Sequence, residues 1–169
     1  MDVDDPPSAF AEGAPNPGDM LPGFTLPGGR GEPIGPGQYK GRRNLVLIFV
    51  HGGGCDLCRD LLTKFAERYS DYQAEEAEVL AVAPVTPTEA ASLANELQLP
   101  FPLLADADGA VHRRYGAISG PAEAGPAVFA ADRYGEIQQR WRLDDSHLGL
   151  PGHDALVDEL RFLGIQCPE

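Results

Sequence analysis

The sequence predicts an α/β fold, a mixed central sheet flanked by helices, from two observations. Three continuous apolar runs of strand length, NLVLIFV at 44–50, EVLAVA at 78–83 and AVFAA at 127–131, read as strands, the first with the look of a central strand buried on both faces. Between them stand stretches whose apolar residues recur at helical spacing, so strands alternate with helices and parallel pairing with right-handed crossovers follows. The 169 residues, 43% hydrophobic and 23% charged, suffice for one domain with a buried core.

Residues 1–20 are rich in Pro, Asp, Ala and Gly without periodicity and read as a flexible N-terminal arm; residues 21–169 are assigned to the folded domain. Phe24–Leu26 and Pro33-Ile34 read as short edge strands around a Gly-Gly turn. Asn44–Val50 follows as a central strand, ended by the glycines of His51-Gly52-Gly53-Gly54. A helix is expected from Cys55 to Gln73, with Leu57, Leu61, Leu62, Phe65, Ala66, Tyr69 and Tyr72 on one face. Glu78–Ala83 is a second apolar strand. Thr86 and Pro87 then cap and open a helix that runs to Leu97. Pro102–Ala105 reads as a short strand and Asp108–Tyr115 as a helical turn capped by Asp108. Ala127–Ala131 and Glu136–Leu143 form an antiparallel pair across the turn Asp132-Arg133-Tyr134-Gly135. Asp154–Leu163 is an amphipathic helix with Gly164 at its end.

Charge and hydropathy narrow the function classes. Thirteen Lys and Arg against 26 Asp and Glu give a net charge of −13, without the basic footprint that a nucleic acid or an anionic membrane surface requires. No stretch of 18 apolar residues exists to span a bilayer. The first 20 residues carry acid where a secretory signal needs base, and they lack an apolar segment, so a cytoplasmic protein is expected.

The feature that carries chemistry is an apolar strand followed by C-x-x-C at a helix start, Cys55 and Cys58. A helix N-terminus presents unpaired N–H groups and about half a positive charge, which stabilises a thiolate. Two cysteines three apart on a helical turn can close a small disulfide, so the arrangement suits reversible thiol redox chemistry. In that reading Cys55 is the exposed cysteine at the helix end, and Cys58, one turn in, resolves a mixed disulfide. Asp56 between them opposes thiolate formation and Arg59 favours it. His51 reads as a strand-end residue bonded to backbone rather than a catalytic base. Cys167 reads as a surface or packed thiol near the chain end, with a resolving role as the alternative. Zinc held by Cys55, Cys58 and His51 lacks a fourth ligand from a second paired motif. An α/β-hydrolase reading of VLIFVHGGG requires a downstream G-x-S-x-G elbow, and none of Ser70, Ser92, Ser119 or Ser146 supplies one.

From about Pro17 to Arg142 the chain resembles the thioredoxin-fold peroxiredoxin superfamily, in its alkyl hydroperoxide reductase/thiol-specific antioxidant (AhpC/TSA) branch. The resemblance rests on PGDMLPGFTLPGGRGEPI, LVLIFVHGGGCDLCRDL, FPLLADADGAVHRRYG and GPAVFAADRYGEI, in that order. It implies a thioredoxin-like three-layer sandwich. It also implies that Pro126 is the family's cis-proline facing the active site, with Pro126, Arg59 and His51 as substrate-binding residues beside the catalytic Cys55 and Cys58. The family's loop reads P-x-x-x-T-x-x-C. With its cysteine on Cys58, His51 stands at the proline and Cys55 at the threonine, so the peroxide-holding hydroxyl is missing. No arginine lies between Arg114 and Arg133, where the family has its second one.

The sequence therefore points to a thiol oxidoreductase with a redox-active disulfide, a peroxiredoxin-like antioxidant that reduces hydroperoxides. The alternatives are a thioredoxin-like protein disulfide reductase and a non-enzymatic interaction module on the same fold. Neither enzyme needs a bound cofactor or metal; either needs a thiol reductant system, thioredoxin-like or of low molecular weight, and a peroxide or disulfide substrate.

Overall fold

The computed structural model describes residues 14–28, 31–51, 56–117, 126–142, 156–158 and 160–161. A hairpin of β1 (Leu26–Pro27) and β2 (Pro33–Ile34) opens the chain, followed by a 3-10 turn at Pro36–Tyr39. Then come β3 (Asn44–Phe49), α1 (Asp56–Glu67), α2 (Tyr69–Ala74), β4 (Ala77–Ala83), α3 (Pro87–Leu97), β5 (Leu103–Ala105), α4 (Ala110–Arg114), β6 (Ala127–Ala131) and β7 (Ile137–Arg142). Five strands form one sheet in the order β5-β4-β3-β6-β7. β3, β4 and β5 run parallel, whereas β6 lies antiparallel to β3 and to β7. This is the expected mixed sheet flanked by helices, with the three-layer arrangement of a thioredoxin fold.

All six residues of β3 are buried because the sheet is covered on both faces. On one face Val46, Ile48 and Val50 pack with Leu61, Leu62 and Phe65 of α1, with Leu93 of α3, and with Leu156, Val157 and Leu160 of a C-terminal helical segment. On the other, Leu45, Leu47 and Phe49 pack with Leu80, Val82, Leu104, Val111, Tyr115 and Phe129. Phe49 stacks on Tyr115 at 4.8 Å and meets Phe129 edge-on at 5.8 Å.

Several element boundaries differ from the sequence reading. The helix expected over 55–73 breaks at Arg68, whose φ of −105° and ψ of 10° leave the helical region. Its N–H is shared between the carbonyls of Lys64 and Phe65, and the chain restarts as α2, which turns Tyr72 into the core. The first edge strand pairs through Leu26 and Pro27 rather than Phe24 and Thr25. The expected cap of α4 shifts from Asp108 to Gly109, whose φ of +72° a side chain rarely adopts; Asp108 still accepts a hydrogen bond from the Ala110 N–H. Residues 14–20, read as part of the arm, run beside β7: Gly18 N–H donates to the Ile137 carbonyl, and Met20 bridges Glu136. Residues 1–13 and Gly164 lie outside the described residues.

Candidate active site

β3 carries the chain to the site. Its ladder with β4 continues one step past Phe49, where the Val50 N–H donates to the Val82 carbonyl, and His51 then leaves the sheet. α1 begins five residues later. Its apolar face, Leu61, Leu62 and Phe65, packs on the sheet and draws Cys58, in the first turn, into the same core. Cys58 is fully buried. Its Sγ accepts a hydrogen bond of 3.2 Å from the His51 backbone N–H. It is disulfide-bonded, and its partner lies outside the described residues.

Cys55 and Cys167 fall outside the described residues, as does the Gly125–Pro126 peptide bond for which a cis geometry was expected. Pro126 itself is buried. The antiparallel register pairs Phe49 with Ala127, which carries Pro126 to the same end of the sheet as Val50 and His51. The Arg59 guanidinium meets the Glu96 carboxylate on α3. Asp56 is exposed at the start of α1, where a carboxylate complements the helix dipole. His51, read as a strand-end residue bonded to backbone, stands at the end of β3 and donates its own N–H to the Cys58 sulfur.

Sequence reasoning missed two residues beside this site. Asp106 follows β5, and His112 lies on α4; both are buried. His112 Nδ1 stands 2.8 Å from Asp106 Oδ2, and His112 Nε2 stands 3.0 Å from the Val50 carbonyl oxygen. Asp106 also accepts from the backbone N–H groups of Val111 and His112, at 3.2 and 2.8 Å, and so serves the open first turn of α4. Burial alone would raise the Asp106 carboxyl. The hydrogen bonds from the His112 ring and from the two backbone N–H groups outweigh it and hold the group below its ordinary value. A signal for Asp106 existed, an acid between a strand and a helical turn. None existed for His112, whose partner Val50 lies 62 residues away.

A cavity lined by Leu21, Pro36, Lys40, Arg43, Leu45 and Tyr134 opens toward the opposite end of β3 and shares no residue with this constellation. Among the described residues no group of three or more His, Cys, Asp or Glu is gathered as metal ligands. Among them too, no helix is long and apolar enough to cross a membrane.

Solved structures share the architecture. A Xylella fastidiosa PrxQ cysteine variant superposes with a TM-score of 0.74 at 19% identity, over 87% of this chain and 96% of that one. A Chlorobium tepidum protein described as a thiol:disulfide interchange protein DsbE superposes with a TM-score of 0.67 at 24% identity, over 88% and 96%. In sequence, a Mycobacterium tuberculosis protein described as a peroxiredoxin is 29% identical over 128 residues, 72% of this chain and 81% of its own length. Residues 17–140 match the AhpC/TSA family. With that match covering most of its length, the chain belongs to the AhpC/TSA family of peroxiredoxin-like thiol oxidoreductases.

Proposed function

We propose that the protein reduces hydroperoxides with Cys55 as the attacking thiolate and Cys58 as the resolving cysteine. The observation that carries this reading is the state of Cys58: disulfide-bonded, fully buried, one turn into α1 and hydrogen-bonded to the strand end. A sulfur so enclosed suits resolution within the protein better than attack on a substrate from solvent. Cys55 precedes it at the helix N-terminus, where a thiolate is stabilised.

In the first step the Cys55 thiolate attacks the distal peroxide oxygen. A sulfur–oxygen bond forms, the O–O bond breaks, and the departing alkoxide takes a proton to leave as an alcohol, or as water when the substrate is hydrogen peroxide. In the second, Cys58 attacks the sulfenic sulfur and water leaves, closing the Cys55–Cys58 disulfide. Two equivalents of an external thiol, thioredoxin-like or of low molecular weight, then restore the dithiol. A cycle that must be reset by thiols fits a reducing compartment such as the cytoplasm. The register that carries Pro126 to the end of β3 supports its place, with His51, beside the reacting sulfurs. Arg59, engaged by Glu96, acts there through its field rather than as a dedicated peroxide ligand.

The test mixes reduced protein with hydrogen peroxide in a stopped-flow instrument, with insulin reduction run alongside. Peroxide is consumed in a fast phase, and Cys58→Ser accumulates a dimedone-trapped sulfenic acid at Cys55. Insulin turbidity without peroxide consumption selects the disulfide-reductase reading instead. A sulfenic acid trapped at Cys58 in Cys55→Ser reverses the two roles.

A further inference from the structure

The pair of Asp106 and His112 is buried, takes no part in the cycle above, and is joined to Cys58 by consecutive hydrogen bonds. One peptide group makes the join. Its oxygen, of Val50, lies 3.0 Å from His112 Nε2, and its N–H, of His51, donates to Cys58 Sγ at 3.2 Å. A trans peptide points its oxygen and its hydrogen in opposite directions. His112 therefore works from the sheet face that holds Phe49 and Tyr115, while Cys58 sits on the face that holds α1.

We infer that His112, held by Asp106, is a positioning residue for Cys58: it polarises the Val50–His51 peptide so that the His51 N–H favours the reduced, anionic sulfur over the disulfide. The inference rests on the reading of Cys55 and Cys58 as a redox couple.

The geometry and the burial of these residues carry it. His112 Nε2 faces the Val50 carbonyl oxygen, which can only accept, so the ring presents a donor there while Asp106 holds its other nitrogen. A carbonyl that accepts a strong hydrogen bond makes the N–H of its own peptide a stronger donor, and chains of hydrogen bonds reinforce one another at low dielectric. His112 and Cys58 are fully buried and Asp106 nearly so, which keeps water from screening the chain. The acceptor at its end changes with redox state. A disulfide sulfur is a weak acceptor, whereas a thiolate forms a charge-assisted bond about twice as strong as a neutral one.

The effect falls on one step. An external monothiolate attacks the Cys55 sulfur, a new sulfur–sulfur bond forms, the Cys55–Cys58 bond breaks, and its electron pair leaves on Cys58. The polarised His51 N–H meets that charge as it develops.

The test equilibrates the full-length protein and its variants His112→Leu, His112→Gln and Asp106→Asn with reduced and oxidised glutathione. Acid quenching and mass spectrometry then read the Cys55–Cys58 disulfide. His112→Leu makes the disulfide about tenfold harder to reduce at equilibrium, which is about 30 mV for a two-electron couple. His112→Gln keeps a donor toward Val50 without the ring that Asp106 orients and falls between it and wild type. The rate at which glutathione opens the disulfide drops in the same order. A merely structural role lowers the thermal midpoint and leaves this equilibrium unmoved. An equilibrium within twofold of wild type in folded variants overturns the inference, and if His112→Leu does not fold, His112→Gln and Asp106→Asn decide it. A wild-type chain with no two-electron couple between Cys55 and Cys58 overturns this inference and the proposed function together, whereas a couple insensitive to His112 and Asp106 overturns this inference alone.

Discussion

Asp106 illustrates how one side chain can serve both a helix and a site. It accepts from two backbone N–H groups of α4 and from the His112 ring. Its folded pKa lies below the unfolded value of about 3.9. The stability it contributes is therefore fully present above that unfolded value and is lost as pH falls through the folded one. In Asp106→Asn, urea unfolding followed against pH loses this component of the acid limb below about pH 4. At pH 7 the variant is less stable by about 3 kcal/mol, because a buried charge partner is removed; a curve parallel to wild type would show that the carboxylate is replaceable. Asp56 acts at the same scale. It is exposed at the start of α1 and follows Cys55 directly in sequence, where a negative charge is expected to oppose thiolate formation. Asp56→Asn should lower the apparent pKa for iodoacetamide alkylation of Cys55, while costing the helix about 0.5 kcal/mol of dipole stabilisation. The gain in rate is limited, since a less basic thiolate is also a weaker nucleophile. An unchanged alkylation profile would show that Asp56 points away from the thiol, or that Arg59 already neutralises it.

Among the elements, α3 was the most legible. Thr86 caps it, its hydroxyl accepting from the Glu89 N–H at 3.2 Å while the Glu89 carboxylate accepts from the Thr86 N–H at 2.9 Å. Such a reciprocal box is written in four consecutive residues, so the sequence displays it. Thr86→Ala should cost about 1 kcal/mol in denaturant unfolding, and a loss below a few tenths would show that packing of Leu93 alone holds the start of the helix. The break between α1 and α2 was not legible, because the apolar face runs unbroken through Leu61, Leu62, Phe65, Tyr69 and Tyr72. What divides the helix is the depth of the core: Tyr72 must enter it, 5.4 Å from Phe65. α4 was read in the right place but with the wrong cap, since the αL backbone needed there belongs to Gly109 and a more distant carboxylate supplies the acceptors.

At the scale of the molecule, the C-terminal segment completes the layer that holds α1. Leu156, Val157 and Leu160 are buried in the core cluster that contains Cys58. Leu160→Ala should lower stability by about 3 kcal/mol through lost transfer energy and a residual cavity. Protease resistance of α1 should fall with it; an unchanged unfolding midpoint would detach the segment from the core. The amino-acid sequence by itself determined the α/β class, the buried central strand, the position of C-x-x-C at a helix start and the family. The strand and the C-x-x-C are patterns over a few consecutive residues, and the class and the family follow from several such patterns in order along the chain; in each, periodicity, run length and turn chemistry act locally. Only the tertiary structure decided the strand order β5-β4-β3-β6-β7, the antiparallel placement of β6 against β3, and the union of Asp106, His112, Val50, His51 and Cys58. Those relations join residues tens of positions apart, and no local propensity encodes them. They arise because burying both faces of β3 brings the ends of β3 and β5 and the start of α1 to one place, where each buried polar group must find a partner.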